Sequence, residues 1–98
     1  MGLQENYNFD FLVNEAERMV LEELEHQLDS EKNKKICTCE ECVLDMAALA
    51  LNRLKPMYRA SLMGTLYAHS LQESEYGEDV RNAVEEAISK VAKNPAHD

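Results

Sequence analysis

Basic side chains are scarce in this sequence: 10 lysines and arginines stand against 19 aspartates and glutamates, a net charge of -9 over 98 residues. That deficit opposes general association with a nucleic-acid backbone or an anionic membrane surface, so direct binding of duplex DNA is not expected. Long apolar runs are missing as well. No stretch approaches the ~18 consecutive apolar residues that a membrane span needs, and the opening Met1-Gly2-Leu3-Gln4-Glu5-Asn6 has neither the basic start nor the apolar core of a secretory signal. A cytoplasmic location is the expectation. No segment shows the strict alternation and β-branched enrichment of a strand, and there is neither an internal repeat nor a low-complexity tract. A chain of 98 residues suits one domain, residues 1–98 with 1–9 and 95–98 as tails. Its core is modest and leaves little room for an enclosed active site, so a binding or regulatory module is expected before an enzyme.

What the chain does have is helical period. Asp10 is placed to cap a helix whose apolar positions Leu12, Val13, Ala16, Met19, Val20, Leu24 and Leu28 recur at three- and four-residue steps, over about residues 10–28. The other face of that helix, with Glu15, Glu17, Arg18, Glu22, Glu23 and Glu25, reads as solvated. A polar, lysine-rich linker from Asp29 to Lys35 leads to Ile36 and to a second helix beginning near Glu40 or Glu41. From Val43 through Leu54 that helix is apolar on nearly every side, which predicts a central position, and Pro56 ends it. A third helix is predicted from Ser61 to about Ser74 on Leu62, Met63, Leu66, Tyr67 and Leu71. Gly77 permits a break, after which Val80, Ala83, Val84, Ala87, Ile88 and Val91 form a stripe up to Asn94-Pro95. The fold class is therefore all-α, a small antiparallel domain of four helices, or three if the chain passes Gly77 unbroken. A helix apolar nearly all round offers more surface than one small bundle covers, which predicts a homodimer, with a compact monomer as the alternative.

All 3 cysteines fall within six residues, Cys37-Thr38-Cys39-Glu40-Glu41-Cys42. An odd number cannot pair off as disulfides, and in a reducing compartment such a cluster points to metal or redox chemistry. Cys39 and Cys42 have the two-residue gap that brings both thiolates to one ion at a helix start, where the dipole favours the thiolate; Cys37 approaches from the preceding loop. A structural zinc ion held by Cys37, Cys39 and Cys42 is the leading reading, with a redox pair of Cys39 and Cys42, or ordinary free thiols, as alternatives. Tetrahedral zinc needs a fourth ligand. His26, His69, His97, a carboxylate such as Asp45 or Glu40, water, or a residue of a second chain can supply it. His97 is preferred, because it lies in a polar tail beyond Pro95 that is free to fold back. No general base or substrate-orienting group accompanies the cluster, so the metal reads as structural and the protein as non-enzymatic.

A second constellation is defined by an absence. Every one of the 19 carboxylates lies outside residues 46–72. Inside that window stand Arg53, Lys55 and Arg59, with Asn52, Tyr58, Tyr67 and His69. A basic island on an acidic chain suggests a local anion site: Arg53 and Arg59 offer guanidinium forks for phosphate, Tyr58 an aromatic face, and Asp45 or Asn52 an edge for a purine. The competing explanation is a core segment that excludes carboxylates, with basic groups near a helix C-terminus where the dipole favours them.

The run Cys-Thr-Cys-Glu-Glu-Cys at 37–42, followed by Asp45, Ala48-Leu49-Ala50-Leu51-Asn52-Arg53-Leu54 and Pro56-Met57-Tyr58, resembles the late competence protein ComFB family. Upstream, the likeness extends to Asn14-Glu15 and Val20-Leu21-Glu22-Glu23-Leu24, and in all it covers most of residues 12–96. The resemblance implies a small helical homodimer with one zinc per protomer, held by the cysteine cluster and a further cysteine close to the C-terminus. This tail reads Pro95-Ala96-His97-Asp98 instead, which makes His97 the natural substitute. Where family members often carry two prolines before the tyrosine motif, the first is Lys55 here. Similar proteins are linked to DNA uptake, and some are thought to be receptors for cyclic di-GMP. The resemblance thus implies a regulator that binds cyclic di-GMP and signals to a protein partner in competence or motility control; the alternative is an interaction module associated with DNA uptake that has no nucleotide ligand.

Overall fold

The computed structural model describes residues 2–61, 63, 66 and 75–95. Their regular elements, in chain order, begin with a one-turn helix α1 (Leu3–Asn6), a 3-10 turn at Phe9–Phe11 and a two-residue strand β1 (Val13–Asn14). Then follow α2 (Glu15–Leu28), a second 3-10 turn at Glu31–Asn33, α3 (Glu40–Asn52), a two-residue strand β2 (Tyr58–Arg59) and α4 (Glu75–Lys93). Met63 and Leu66 are also helical, and both are exposed. The other residues of the predicted third helix beyond Ser61 lie outside the described residues, as do Tyr67, His69 and His97. The all-α class holds with one small addition: β1 and β2 pair antiparallel, Val13 opposite Arg59 and Asn14 opposite Tyr58.

The core forms where α4 packs against both α2 and α3 and these two pack against each other. Met19, Val20 and Leu24 of α2 meet Cys42, Met46 and Ala50 of α3 and the α4 stripe Val80, Val84, Ala87, Ile88 and Val91. Each set recurs at helical steps, so each helix turns one face inward, and removal of those side chains from water is the main force holding the three together. Side chains from the loop after α2 close its end: the Ser30 hydroxyl and the Asn33 amide both donate to the Gln27 carbonyl, each at 2.8 Å.

Three expectations need correction. The first helix does not begin at Asp10, which lies within the 3-10 turn at Phe9–Phe11. It begins at Glu15, capped by Asn14, whose side-chain oxygen accepts from the Ala16 amide at 3.1 Å. The same oxygen accepts from the Met57 amide at 2.8 Å, and the Glu15 amide donates to the Met57 carbonyl at 2.8 Å. Pairing with the segment after Pro56 thus draws Val13 and Asn14 into extended backbone. Second, Glu15 is not part of the solvated face: it is 2% exposed. Third, the break that Gly77 permits is not taken, and the unbroken alternative holds there: the last helix runs through it from Glu75 to Lys93. A glycine costs about 1 kcal/mol in a helix interior, and burial of the apolar stripe that begins at Val80 outweighs it.

Candidate functional site

The three cysteines converge. Cys39 is the N-cap of α3, Cys42 lies in its first turn, and Cys37 reaches in from the loop, so that the three sulfurs lie within 4.8 Å of one another. Around a tetrahedral zinc ion with bonds of ~2.3 Å, the sulfurs stand about 3.8 Å apart, so a small closing movement is enough for all three to bind one ion. Three close cysteines at a helix start can hold a metal ion. The electrostatics differ between them. Hydrogen bonding from the Cys39 backbone, and then from its side chain, lowers the pKa of the Cys37 thiol. Burial, and then the neighbouring Cys39 and Cys37, push the Cys42 thiol up to about 12. A metal ion binding here displaces the proton of Cys42, the buried thiol of the three.

No histidine or carboxylate among the described residues joins this cluster. Asp45 and Glu40 are exposed on α3. His26 lines a different cavity, between α2 and the cysteine loop. A cavity of about 300 Å³ beside the cluster is lined by Lys35, Ile36, Cys37 and Cys42 on one side and by Val91 and Pro95 at the end of α4 on the other.

The basic window divides in two. Arg53 is the C-cap of α3, and with Lys55 it lines an open groove of about 810 Å³ whose other wall is α4, with Tyr76, Asp79, Asn82 and Glu86. Arg53 Nη1 donates to Glu86 Oε2 at 3.0 Å, and the Tyr76 hydroxyl donates to the Lys55 carbonyl at 2.7 Å. Burial, and then the charge of Asp79, raise the pKa of Tyr76. Tyr58 and Arg59 are on β2, away from that groove, and Asp45 and Asn52 are exposed on α3 without lining it.

Arg59 is spoken for. Its Nε donates to Glu15 Oε1 at 2.6 Å, while Arg18 Nε donates to Glu15 Oε2 at 2.8 Å, so the two arginines bracket one buried carboxylate. Hydrogen bonds from Arg18 and then Arg59 lower the Glu15 pKa against the opposing effect of burial. Sequence reasoning missed Glu15 as the partner of Arg59, and Tyr76, Asp79 and Asn82 as a groove wall. The one available signal was Asn14-Glu15, carried in the family likeness but without a role.

Fold and site together define a small helical protein with a three-thiol cluster at the start of one core helix and an arginine at its far end. Residues 13–95 match the family described as "Late competence development protein ComFB", and the chain belongs to that family. It is also similar to the late competence protein ComFB from Bacillus subtilis in its solved structure, with a TM-score of 0.68 and 26% identity, covering 87% of this chain and 92% of that one. None of the curated proteins matches it in sequence. Family and fold support a competence-related regulatory protein. No helix among the described residues is long and apolar enough to cross a membrane.

Proposed function

We propose that this chain is a non-enzymatic regulator: a zinc-stabilised homodimer that binds cyclic di-GMP beside the C-terminal end of α3 and passes occupancy to a protein partner. The observation that carries this reading is that α3 joins the two sites, with the thiol cluster at its first turn and Arg53 at its C-cap. Zinc then fixes the helix that positions the ligand groove and performs no chemistry there. The groove beside Arg53 and Lys55, at about 810 Å³, has room for a nucleotide. Arg53 and Lys55 meet phosphate, while the acceptors on α4 suit the donor edge of guanine. Exposed Asn52 and Asp45 offer further edges, and exposed Tyr58 an aromatic face. Arg59 takes part only where an anion displaces it from Glu15, which ranks it behind Arg53.

Saturable binding of cyclic di-GMP to zinc-loaded protein, measured by calorimetry, is the expected result, with Arg53→Ala weakening it at least tenfold. No binding to folded, zinc-loaded protein would overturn the reading. It would favour an interaction module with no nucleotide ligand, which already has in its support the carboxylates engaged by Arg53 and Arg59.

The fourth zinc ligand in this reading is His97. Pro95 lines the same cavity as Cys37 and Cys42, and the two further residues to His97 span up to about 7 Å. His97→Ala is expected to lower zinc affinity while leaving the helices intact; unchanged zinc content and stability at limiting zinc would put the fourth ligand elsewhere. Dimerisation is supported by apolar groups that stand exposed among the described residues, Phe11, Leu12, Met63 and Leu66 among them. Light scattering tests it directly.

A further inference from the structure

A second groove, of about 560 Å³, runs between α2 and the start of α3, and no residue of α4 lines it. Leu21, Leu24, Leu28 and Val43 supply its apolar lining, and Glu25 and Asp29 its carboxylates. The three leucines lie along one stripe of α2, and Leu21 is 54% exposed. Among the described residues no lysine or arginine lines the groove, and His26 is its one imidazole. Glu40, one turn before Val43, extends the negative charge onto α3. An apolar groove flanked by carboxylates selects its occupant by charge. It repels anions, and it disfavours a second copy of this chain, whose net charge is -9. Residues 2–12, an exposed segment with Leu3, Tyr7, Phe9, Phe11 and Leu12, carry Glu5 and Asp10 and no basic side chain.

We propose that this groove docks an amphipathic helix from a protein partner, with aliphatic residues along one stripe and lysines or arginines beside it. The aliphatic side chains extend the leucine stripe of α2, and the cations pair with Glu25 and Asp29, which fixes orientation and makes binding salt-dependent. Thr38, between the cysteines Cys37 and Cys39, also lines the groove, so the loop that carries the thiols is one of its walls. The partner half of the regulatory reading gains a surface in this way, and the surface does not depend on nucleotide binding.

The test uses the zinc-loaded protein and two labelled helical peptides of about 18 residues, long enough to hold helix. Both have leucine at i, i+3, i+4 and i+7; one has lysine at its remaining charged positions and the other glutamate. The lysine peptide is expected to bind at least tenfold tighter by fluorescence anisotropy, with backbone amide shifts clustered at Leu21, Leu28, Thr38 and Val43. Leu21→Asp adds negative charge, so a merely electrostatic attachment would strengthen, whereas docking in the groove falls at least tenfold. Leu44→Asp, at an exposed leucine on α3 outside the groove, is expected to leave binding unchanged. Equal affinity for both peptides, equal effects of the two substitutions, or scattered amide shifts would each overturn the proposal. Dissociation of a dimer by Leu21→Asp would overturn it too, assigning the groove to a second copy. Cyclic di-GMP titration of Leu21→Asp reads the nucleotide site separately.

Discussion

The two ends of α3 look alike in sequence, each a concentration of one residue chemistry, and they differ in space. At the N-terminal end, Cys37, Cys39 and Cys42 come together through local geometry alone: a helix cap, its first turn and the loop before it. Past the other end, the window free of carboxylates is not a field of free cations, because acids arrive from elsewhere in the fold. Glu86 of α4 takes Arg53, and Glu15 of α2 takes Arg59. A cluster of ligands separated by one turn of helix survives folding as a cluster. An absence of charge along the sequence does not survive, since tertiary neighbours fill it.

The largest effect that can break this comparison is at the thiol end. Removing metal with a chelator, or substituting Cys42→Ser, is expected to cost about 4 kcal/mol or more of stability in denaturant titration, the linkage for an ion held at a thousand times its dissociation constant. Elemental analysis of the native protein is expected to give one zinc per chain. A metal-free protein that melts at the same temperature would remove the structural role. The next largest lies at Glu15. Glu15→Gln breaks two charge-assisted hydrogen bonds at a buried position and is expected to cost about 2–3 kcal/mol.

Acid sharpens the same point. Because the Glu15 pKa is lowered in the folded state, its contribution is fully present above the ordinary value of 4.5 and is lost as pH falls through the lowered folded value. Glu15→Gln should therefore flatten the acid limb of the stability profile, and an unchanged limb would mean that other carboxylates carry it. The smallest effect belongs to Arg53. Its pair with Glu86 is exposed, so Arg53→Ala is expected to change stability by less than about 1 kcal/mol while weakening the proposed nucleotide binding. A loss as large as that of Glu15→Gln would make Arg53 a structural group like Arg59.

Much of this was legible beforehand, for physical reasons that can be named. The stripe of Val80, Val84, Ala87, Ile88 and Val91 reads as a buried helix face because helical period is a local property, and it is buried. The thiol cluster reads as a site because its geometry is contained in six residues. Glu15 reads as solvated because its burial is imposed from a distance, by the segment after Pro56 that meets the first turn of α2. For the same reason Leu12 and Val13 looked like the start of a helical stripe, although β2 holds Val13 extended. The wall that α4 lends to the Arg53 groove combines residues of two elements, and spacing along either one does not reveal it.

The doubly used oxygen of Asn14 also bears on the order in which the chain folds. It completes the start of α2 and grips the Met57 amide, 43 residues away in sequence, at the same time. Its second bond closes a long loop, whose entropy cost falls due only when the segment after α3 arrives. On that ground the bond is expected to form late in folding, after the helices have met. Replacing Asn14 with alanine should accelerate unfolding far more than it slows folding, and the amides of Ala16 and Met57 should lose their exchange protection together.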